Sequence, residues 1–567
     1  MFRLTAPLAI AAIAASAATA QTAPTPAPAP APAATGMSAA EKNAIITAPL
    51  PEDQAAMKSH VMFLASDPMR GRDAGSNEYD IAAQYVASQF YAQGLRPAGD
   101  AGGYLQKVPL VAYNAADKGS MVVSRKGSDP VALAFGQDFV PGAVPASPSF
   151  TLTAPVVFVG YGIVGVGRDD YKGADVKGKI VAFFGGAPSS FPGEERAHFG
   201  SPASKAEIAM KKGAVGYITL ESPITARNRP FAMAASFWDR PRVTWADASG
   251  VGHIPTPATP GLGALSMAGA AKLFAGTPGA WDAIRKAAEV DGATFKPVQL
   301  PGTLTVSLKT TSKPLTSYNV AGLLPGSDPK LKDEVVVLTA HLDHVGVGRP
   351  DRKGDTIYNG AMDNAVGVAS LIEEAKRFKA SGKAPRRSVL FLAVTAEEKG
   401  LVGADYFANN PTLPKANLVA DVNLDMPIIT YKFSDIVVFG APRSTLGPIV
   451  QKAAAEIGVT ISPDPMPEEG LFVRSDHYRF VQQGIPSVFL WPGQAGPGKE
   501  ATERFMKEHY HQASDEVAQE PGIDWESGVR FVDVNYRIAR AIADADQRPV
   551  WNKGDFFGTF FGGPVAR

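Results

Sequence analysis

Apolar runs and amphipathic segments alternate along the second half of the chain. Nearly continuous apolar runs, typical of strands buried on both faces, occur in "EVVVLTAH", "SVLFLAV", "NLVADVNLD", "DIVVFG" and "IPSVFLW". Apolar residues recur at helical spacing in "NAVGVASLIEEAKRFKA", "TLGPIVQKAAAEIG" and "GVRFVDVNYRIARAIADA". This alternation predicts an α/β fold built on a mostly parallel, doubly wound sheet with helices on both faces.

Two earlier regions carry different patterns. The segment "NEYDIAAQYVASQFYAQG" predicts an amphipathic helix whose apolar stripe contains Ile81, Tyr85, Val86 and Phe90. Between residues 150 and 297, short apolar runs such as "APVVFVGYGI", "VKGKIVAFFGG" and "KKGAVGYITL" are bounded by glycines, which predicts a small β-rich α/β module. Because the α/β alternation resumes afterwards, we interpret this module as an insertion.

The larger domain therefore takes residues 45–149 and 298–547, on either side of the module at 150–297. A tail follows at residues 548–567 and includes "DFFGTFFGGPVAR". We expect its four phenylalanines to pack on the domain surface, because large apolar side chains gain free energy when they leave water.

The N-terminal pattern indicates export. Residues 1–20 combine Arg3, a short apolar core and the small residues Ala18 and Ala20 around a cleavage site, the pattern of a secretory signal peptide. The apolar run is shorter than the ~20 residues that span a bilayer, which favours a periplasmic or secreted protein over a membrane anchor. No later segment is apolar for long enough to span, and residues 21–44 form a Pro/Ala-rich linker.

Composition limits the partners and the metal ligands. Lys plus Arg and Asp plus Glu number 55 each, which gives no basic footprint for nucleic acid and favours small or neutral partners. The chain contains no cysteine, so disulfides, a thiol nucleophile and thiolate metal ligands are excluded. Any metal must be held by His, Asp and Glu side chains.

Imidazoles and carboxylates follow the predicted strands at the points where the strands end. These residues are His341, Asp343 and His344, then Glu397 and Glu398, then Asp425. In a doubly wound sheet, ligands bind beyond the carboxyl ends of the strands, so these side chains are expected to meet at one edge. Asp363 precedes a helix, and a loop before the last helix adds His509, His511 and Asp515.

Each of these residues alone has an ordinary explanation. Asp363 is placed where a helix N-cap is expected, and Asp425 could be a polar residue at a strand end. Together, histidines and acids at one sheet edge match the ligands of a divalent metal such as zinc. They exceed the three protein ligands of a single catalytic zinc, and a shared carboxylate can hold two ions about 3.5–4 Å apart.

Six motifs extend the argument by resemblance. "TAHLDHVG", "YNGAMDNAVGVASLIEEA", "AVTAEEKGLVGADYF", "NLDMP", "RSDHYRFVQQGIPSVFL" and "YHQASDE" occur in the order found in secreted di-zinc aminopeptidases. That metallopeptidase family also contains glutamate carboxypeptidase II and the inactive transferrin receptor. The likeness extends over roughly residues 45 to 545, and the inserted module resembles a protease-associated domain.

The resemblance implies two zinc ions and a role for each matched residue. It implies His341, Asp363 and Asp425 around one zinc, Asp363, Glu398 and His511 around the other, and Glu397 as general base. Tyr510 would hydrogen-bond the scissile carbonyl, and Arg474 would contact the substrate main chain unless it pairs with Asp476. Asp343 would orient the His341 imidazole and Asp515 would support the ligands, while His344 and His509 are interpreted as neighbours.

The expected activity is removal of N-terminal residues from peptide substrates. Carboxypeptidase activity would require a basic pocket, for which Arg474 alone is thin support. Cyclases of this fold use a single zinc, and a non-catalytic receptor or scaffold would not need a complete ligand set. The polar segment "VGVGRPDRKGDTIYNGA" is expected to border the cleft.

Overall fold

The structure is a computed structural model that describes residues 37–566. The predicted signal peptide and residues 21–36 of the predicted linker lie outside the described residues. The helices are α1 (Ala39–Ile46), α2 (Glu52–Leu64), α3 (Asn77–Ala92), α4 (Gly193–Gly200), α5 (Pro202–Lys211), α6 (Pro223–Asn228), α7 (Phe231–Ser236), α8 (Met267–Phe274), α9 (Ala280–Ala287), α10 (Val366–Ala380), α11 (Val402–Asn409), α12 (Leu446–Ala455), α13 (His477–Val481), α14 (Gly498–Glu508), α15 (Trp525–Asp544) and α16 (Phe556–Phe560). Helix α1 thus occupies the end of the stretch assigned to the linker.

The strands are numbered in the same way. They are β1 (Arg96–Pro97), β2 (Leu105–Ala115), β3 (Ser120–Ser124), β4 (Val131–Ala132), β5 (Phe139–Pro141), β6 (Ser149–Ala154), β7 (Val156–Phe158), β8 (Val164–Gly165), β9 (Arg168–Asp169), β10 (Ile180–Phe184), β11 (Gly216–Leu220), β12 (Arg242–Trp245), β13 (Gly261–Leu265), β14 (Val298–Gln299), β15 (Thr303–Leu324), β16 (Val335–His341), β17 (Gly346–Val347), β18 (Ile357–Tyr358), β19 (Ser388–Val394), β20 (Leu418–Leu424), β21 (Asp435–Phe439), β22 (Thr460–Ser462) and β23 (Ser487–Pro492).

The main sheet confirms the α/β fold class and contains a parallel centre. Its principal strand order is β12-β2-β15-β19-β16-β20-β23-β21-β22. Strands β19, β16, β20 and β23 run parallel, and every residue of β16, β19 and β20 is buried, which explains their continuous apolar sequences. On either side, β15 and β21 join the parallel strands in antiparallel orientation, so the whole sheet is mixed.

Helices cover both faces of this sheet. Alternate residues of β16 face opposite layers: Val336 and Leu338 pack with α2, α3, α10 and α15, whereas Val337 packs with the aromatic side chains of α11 and α13. Helix α3 forms as predicted, but the expected stripe is wrong at Ile81, which is 52% exposed. The buried stripe instead runs through the alanines of the helix to Val86 and Phe90.

The inserted region forms a second sheet with its own core. The strand order is β14-β7-β10-β11-β13-β5, in which β7, β10, β11 and β13 are parallel. Two of its strands, β5 and β14, lie outside residues 150–297, whereas β12 lies inside that range and pairs with β2 of the main sheet. Strand β15 pairs with β3 and β6 near its start and with β2 and β19 later, and all four of these strands belong to the main sheet.

The C-terminal tail packs between the inserted module and the main domain. Phe557 in α16 is buried against Phe472 and Tyr478 of the main domain, and its ring also lies edge-on to His198 of α4. Arg443 donates to Glu195 of α4 at 2.8 Å and to Asp555 before α16 at 3.1 Å. Among residues 37–566, no helix is both long enough and apolar enough to cross a membrane.

Candidate metal and active site

Three parallel strands deliver polar side chains to one edge of the main sheet. His341 is the last residue of β16, Asp425 follows β20, and Glu397 and Glu398 follow β19. The backbone turns sharply after β19, where Ala396 adopts a positive φ of 55°. This bend lets the two adjacent glutamates reach the same site, although neighbouring side chains of a straight strand point to opposite faces.

Asp363 lies in a non-helical turn, Ala361–Ala365, just before α10. Its carboxylate does not cap the helix, so the N-cap alternative is wrong. The neighbouring Asn364 accepts the backbone N–H of Gly367 at 3.1 Å. The Asp363 side chain is thereby left to point into the cluster, where it is 3% exposed.

The two carboxylate oxygens of Asp363 face different histidines. Oδ1 lies 3.2 Å from His341 Nε2, which is also 3.1 Å from Asp425 Oδ1. Oδ2 lies 3.2 Å from His511 Nε2, which is also 3.1 Å from Glu398 Oε2. Tetrahedral zinc with ligand distances of about 2.0–2.1 Å separates its ligand atoms by about 3.3–3.4 Å. The observed spacings fit two such groups of ligand atoms that share Asp363.

His344 also belongs to this cluster, although the sequence motifs indicated that it is a neighbour of the ligands. Its Nδ1 lies 2.8 Å from Glu398 Oε1 and 4.0 Å from Asp363 Oδ2. The candidate metal-ligand atoms of His344, Asp363 and Glu398 lie within 4.8 Å of one another, as do those of His341, Asp363 and Asp425. Among the described residues, the other ring nitrogen of His344, Nε2, has no hydrogen-bond partner. The second group therefore offers four candidate ligands, including His511.

The electrostatics of the cluster suit a cation. Burial and the Asp363 charge would raise the pKa of Glu398, but His344 and His511 lower it to about 2. Burial would lower the pKa of His511, but hydrogen bonds to Asp363 and Glu398 raise it to about 10. Glu397 differs, because burial and nearby negative charges raise its pKa well above the usual value. Buried nitrogen and oxygen donors without any thiolate match the preferences of zinc.

Asp515 and Asp343 support the cluster through the backbone. Asp515 accepts the N–H groups of Met362 at 2.8 Å and Asp363 at 3.0 Å, which fixes the turn that carries the shared carboxylate. The resemblance implied that Asp343 orients the His341 imidazole, but the Asp343 carboxylate does not hydrogen-bond to that ring. Its backbone carbonyl lies 3.1 Å from His341 Nδ1, while its carboxylate accepts the N–H groups of Glu397 at 3.0 Å and Glu398 at 3.4 Å.

A cavity opens beside the cluster and has one apolar wall. His341, Asp363, Glu397, Asp425 and His511 line its polar side. The apolar side is formed by Met426, Leu471, Phe489, Trp491 and Met506. An apolar recess with a few convergent polar groups is the kind of cavity that binds small ligands.

Tyr510 and Arg474 also line this cavity. The Tyr510 ring stacks on His511 with ring centroids 4.0 Å apart. Arg474 forms an ion pair with Glu469 at 3.2 Å, so the alternative pairing with Asp476 is wrong. Its guanidinium remains partly exposed at the mouth of the cavity, where it can meet a substrate.

Two other expectations about the surroundings have clear outcomes. His509 lies outside the cluster, as expected, because its ring nitrogens contact the backbone oxygens of Ser514 and Glu520. The segment between His344 and Tyr358 forms the β17–β18 hairpin, which packs against residues 67–72. Within the described chain it contributes no residue to the lining of the cavity beside the cluster.

Arg72 and Ser475 are further residues of the site that the motif analysis missed. Arg72 lies beneath the cluster and is fully buried. Ser475 donates to Asp425 and accepts a hydrogen bond from Asn423 at 2.6 Å. The position of Ser475 directly after Arg474 is a weak indication in the sequence that Ser475 lies at the site. Nothing in the local sequence indicates the same for Arg72.

The fold and the buried cluster define an α/β protein with a candidate metal site at the carboxyl edge of its sheet. Residues 319–539 match the model of peptidase family M28. The matched range contains His341, Asp363, Asp425 and His511, together with both adjacent glutamates.

Individual relatives are similar over part of the chain. Leupeptin-inactivating enzyme 1 of Streptomyces exfoliatus is 32% identical over 194 residues, which cover 33% of this chain and 39% of that protein. A probable leucine aminopeptidase 2 of Aspergillus oryzae is 26% identical over 278 residues, which cover 44% of this chain and 51% of that protein. The chain thus spans about half or less of the length of these curated relatives.

A solved structure, an aminopeptidase from Aneurinibacillus sp. strain AM-1, is similar at 20% identity with a TM-score of 0.45, and the match covers 89% of this chain and 97% of that one.

Proposed function

We propose that the protein is an exported metallo-aminopeptidase that uses two zinc ions. The observation that carries the proposal is the position of Asp363, whose two oxygens face separate histidine and carboxylate groups at 3.1–3.2 Å spacing. The match of residues 319–539 to the model of peptidase family M28 supports the peptidase reaction. Similarity to the Aspergillus oryzae relative, a probable leucine aminopeptidase, supports action at the N-terminus.

His341, Asp363 and Asp425 would hold one zinc, and Asp363, Glu398 and His511 would hold the other, with His344 as an additional candidate. When bound, the ions would lower the pKa of a water molecule and polarise the scissile carbonyl. Asp515 and Asp343 keep the ligand-bearing turns in place through their backbone hydrogen bonds.

Glu397 would act as the general base. It lines the cavity beside the ligands and is oriented by the hydrogen bond from its backbone N–H to Asp343. It would accept a proton from the attacking water and return it to the leaving amine, a role that contributes about 10²- to 10⁴-fold in comparable enzymes. Its burial supports this role, because a carboxyl in such surroundings holds a proton more readily than one in water.

Tyr510 and Arg474 would bind the substrate main chain at the mouth of the cavity. The apolar wall would receive the side chain of the N-terminal residue, since burial of apolar surface favours binding. Peptides with an apolar N-terminal residue are therefore the proposed substrates.

Export and the inserted module are further parts of the proposal. Residues 1–20 have the pattern of a signal peptide, and we assign residues 150–297 to a protease-associated module. Helix α4 of this module packs against residues 467–473, next to Arg474. This contact supports a role for the module in shaping the entrance to the cavity.

The other activities are less well supported. A carboxypeptidase needs a basic pocket for the terminal carboxylate, and among the described residues that line the cavity Arg474 is the single arginine or lysine. A single-zinc cyclase or a non-catalytic receptor would not need the second group of candidate ligands, so the complete set favours a two-zinc enzyme.

The test combines zinc analysis with a substrate panel. Purified chain should contain two zinc ions and cleave aminoacyl anilides. N-blocked peptides should remain intact, and no C-terminal acidic residue should be released from any peptide of the panel. Equal cleavage of N-blocked substrates would overturn the aminopeptidase assignment.

Two substitutions separate the roles of the adjacent glutamates. Glu397→Gln should keep both zinc ions and lose turnover, whereas Glu398→Gln should lose one zinc. Glu373→Gln is the matched control, since Glu373 is buried and contacts His60 at 3.3 Å outside the cavity. Loss of zinc in Glu397→Gln would contradict the role of Glu397 as base.

A further inference from the structure

Arg72 is a fully buried arginine that donates to four backbone carbonyls. Its guanidinium contacts the oxygens of Leu342 at 3.0 Å, Leu64 at 2.5 Å, Asn359 at 2.6 Å and Gly360 at 3.1 Å. Three of the four acceptors come from segments more than 250 positions away in sequence, since the separations are 270, 287 and 288 residues.

Three of these carbonyls belong to the two segments that carry proposed zinc ligands. Leu342 directly follows His341 at the end of β16, and Gly360 precedes the turn Ala361–Ala365 that holds Asp363. Leu64 ends α2, which gives the guanidinium an anchor outside both segments. The planar fork of arginine places several N–H groups in fixed directions, so one side chain can set the distance between the two segments.

The charge of Arg72 also acts on the cluster. Burial lowers its pKa to about 10, and Asp343, Asp515 and Asp363 oppose that shift, so the side chain stays charged at neutral pH. A fixed positive charge beneath several carboxylates reduces their mutual repulsion when no ion is bound. The ligand geometry can thus persist before metal binding.

The local backbone is shaped to place this side chain. Arg72 has a positive φ of 49° and follows Gly71, where an added Cβ would lie 2.4 Å from the oxygen of Tyr358 and 2.6 Å from that of Gly346. The segment Asp67–Arg72 is therefore pressed against the β17–β18 hairpin that connects the two ligand-bearing segments. Such close packing fixes where the guanidinium enters the core.

We propose that Arg72 is the positioning residue of the metal centre, holding the His341 and Asp363 segments at the separation that two zinc ions require. This inference rests on the proposed function, because it assumes that the cluster binds zinc.

The test compares Arg72 with a matched buried arginine. Arg387 is also fully buried and donates to backbone carbonyls of Ile542 and Ala545, and it pairs with Glu334 at 2.6 Å. It lies directly before β19, at the opposite end of that strand from the site. The variants are Arg72→Lys, Arg72→Met and Arg387→Met. Each would be measured for zinc affinity by competition with a chelator, for thermal unfolding of the metal-free chain, and for the absorption spectrum of the cobalt-loaded chain.

Arg72→Met should weaken zinc binding by about 10- to 100-fold, the range found when residues that orient metal ligands are removed. Arg72→Lys should keep the charge but recover only part of the affinity, and its cobalt spectrum should differ from the wild-type spectrum. Arg387→Met should unfold at a lower temperature and retain wild-type zinc affinity and spectrum.

Two outcomes separate the failure of this inference from that of the proposed function. If the wild-type chain binds zinc and the Arg72 variants bind it equally well with an unchanged cobalt spectrum, the positioning role is refuted. If the wild-type chain binds no zinc, the proposed function fails first. Should Arg72→Met not fold, Arg72→Lys decides the question by the same measurements.

Discussion

Substitution of Asp515 by asparagine tests whether the shared ligand Asp363 depends on a preformed turn. The two oxygens of Asp515 accept the backbone N–H groups of Met362 at 2.8 Å and Asp363 at 3.0 Å. Asparagine keeps one acceptor and places an NH₂ group where the other oxygen was. One charge-assisted hydrogen bond is lost, and a buried N–H group then faces a second donor.

The size of the effect follows from the lost bond. Hydrogen bonds to charged groups contribute about 1.5–3 kcal/mol, and each 1.4 kcal/mol corresponds to a factor of ten in an equilibrium constant, so zinc affinity should fall by about 10- to 100-fold. Because the oxygens of Asp363 face both groups of ligands, both zinc-binding steps should weaken. Asp425→Asn should weaken only one step, because Asp425 belongs to one group.

A chelator-competition titration of the purified chain resolves the two steps. The control is Asp524→Asn, since Asp524 accepts a backbone N–H from Ser527 at 3.0 Å at the start of α15, away from the cavity. Both variants should unfold at lower temperature, but only Asp515→Asn should bind zinc more weakly. Wild-type zinc affinity in Asp515→Asn would refute the argument that the turn must be preformed.

Three further changes have defined outcomes. Arg443→Met leaves Glu195 and Asp555 without their cation and should lower the free energy of unfolding, measured by urea titration, by about 3–5 kcal/mol. The control is Arg504→Met, which removes an exposed ion pair with Glu508. An equally small effect of the two substitutions would contradict this prediction. Burial raises the pKa of Glu374 well above its usual value, so the folded chain binds more protons at this site than the unfolded chain, and stability should fall as pH rises above the unfolded value. Glu374→Gln should remove that part of the pH dependence of thermal unfolding, and an unchanged pH profile would count against it. Arg474→Met should raise KM for aminoacyl anilides with little change in kcat, and an unaltered KM would exclude Arg474 from substrate binding.

The strand ends could be predicted from sequence because parallel strands bring their carboxyl ends to one edge. That rule places His341, Asp425 and the two glutamates together without knowledge of the strand order. The role of Asp343 could not be predicted in the same way. Residues two apart share a face only within a strand, and β16 ends at His341, so the next side chains follow the loop instead.

Two further features could not be predicted from the sequence: which residues of α3 are buried, and the contacts that Arg72 makes with distant segments. At about 100° per residue, Ile81 lies about 140° around α3 from Val86, and small alanines take the buried positions instead. Arg72 reaches the site across 270 or more residues of sequence, and its hydrogen bonds are to backbone carbonyls, which carry no sequence signal.

The pairing of β12 with β2 has a consequence for protein engineering. Deleting residues 150–297 as a block would remove β12 and leave one side of β2 with unpaired N–H and C=O groups, a template for association with other chains. It would also remove the indole of Trp245 that donates to Asp405 at 2.6 Å. A variant without the inserted module should therefore retain residues 242–245, joined to the main domain by new linkers. For the same reason, residues 150–297 do not form a unit that can be moved to another protein in one piece.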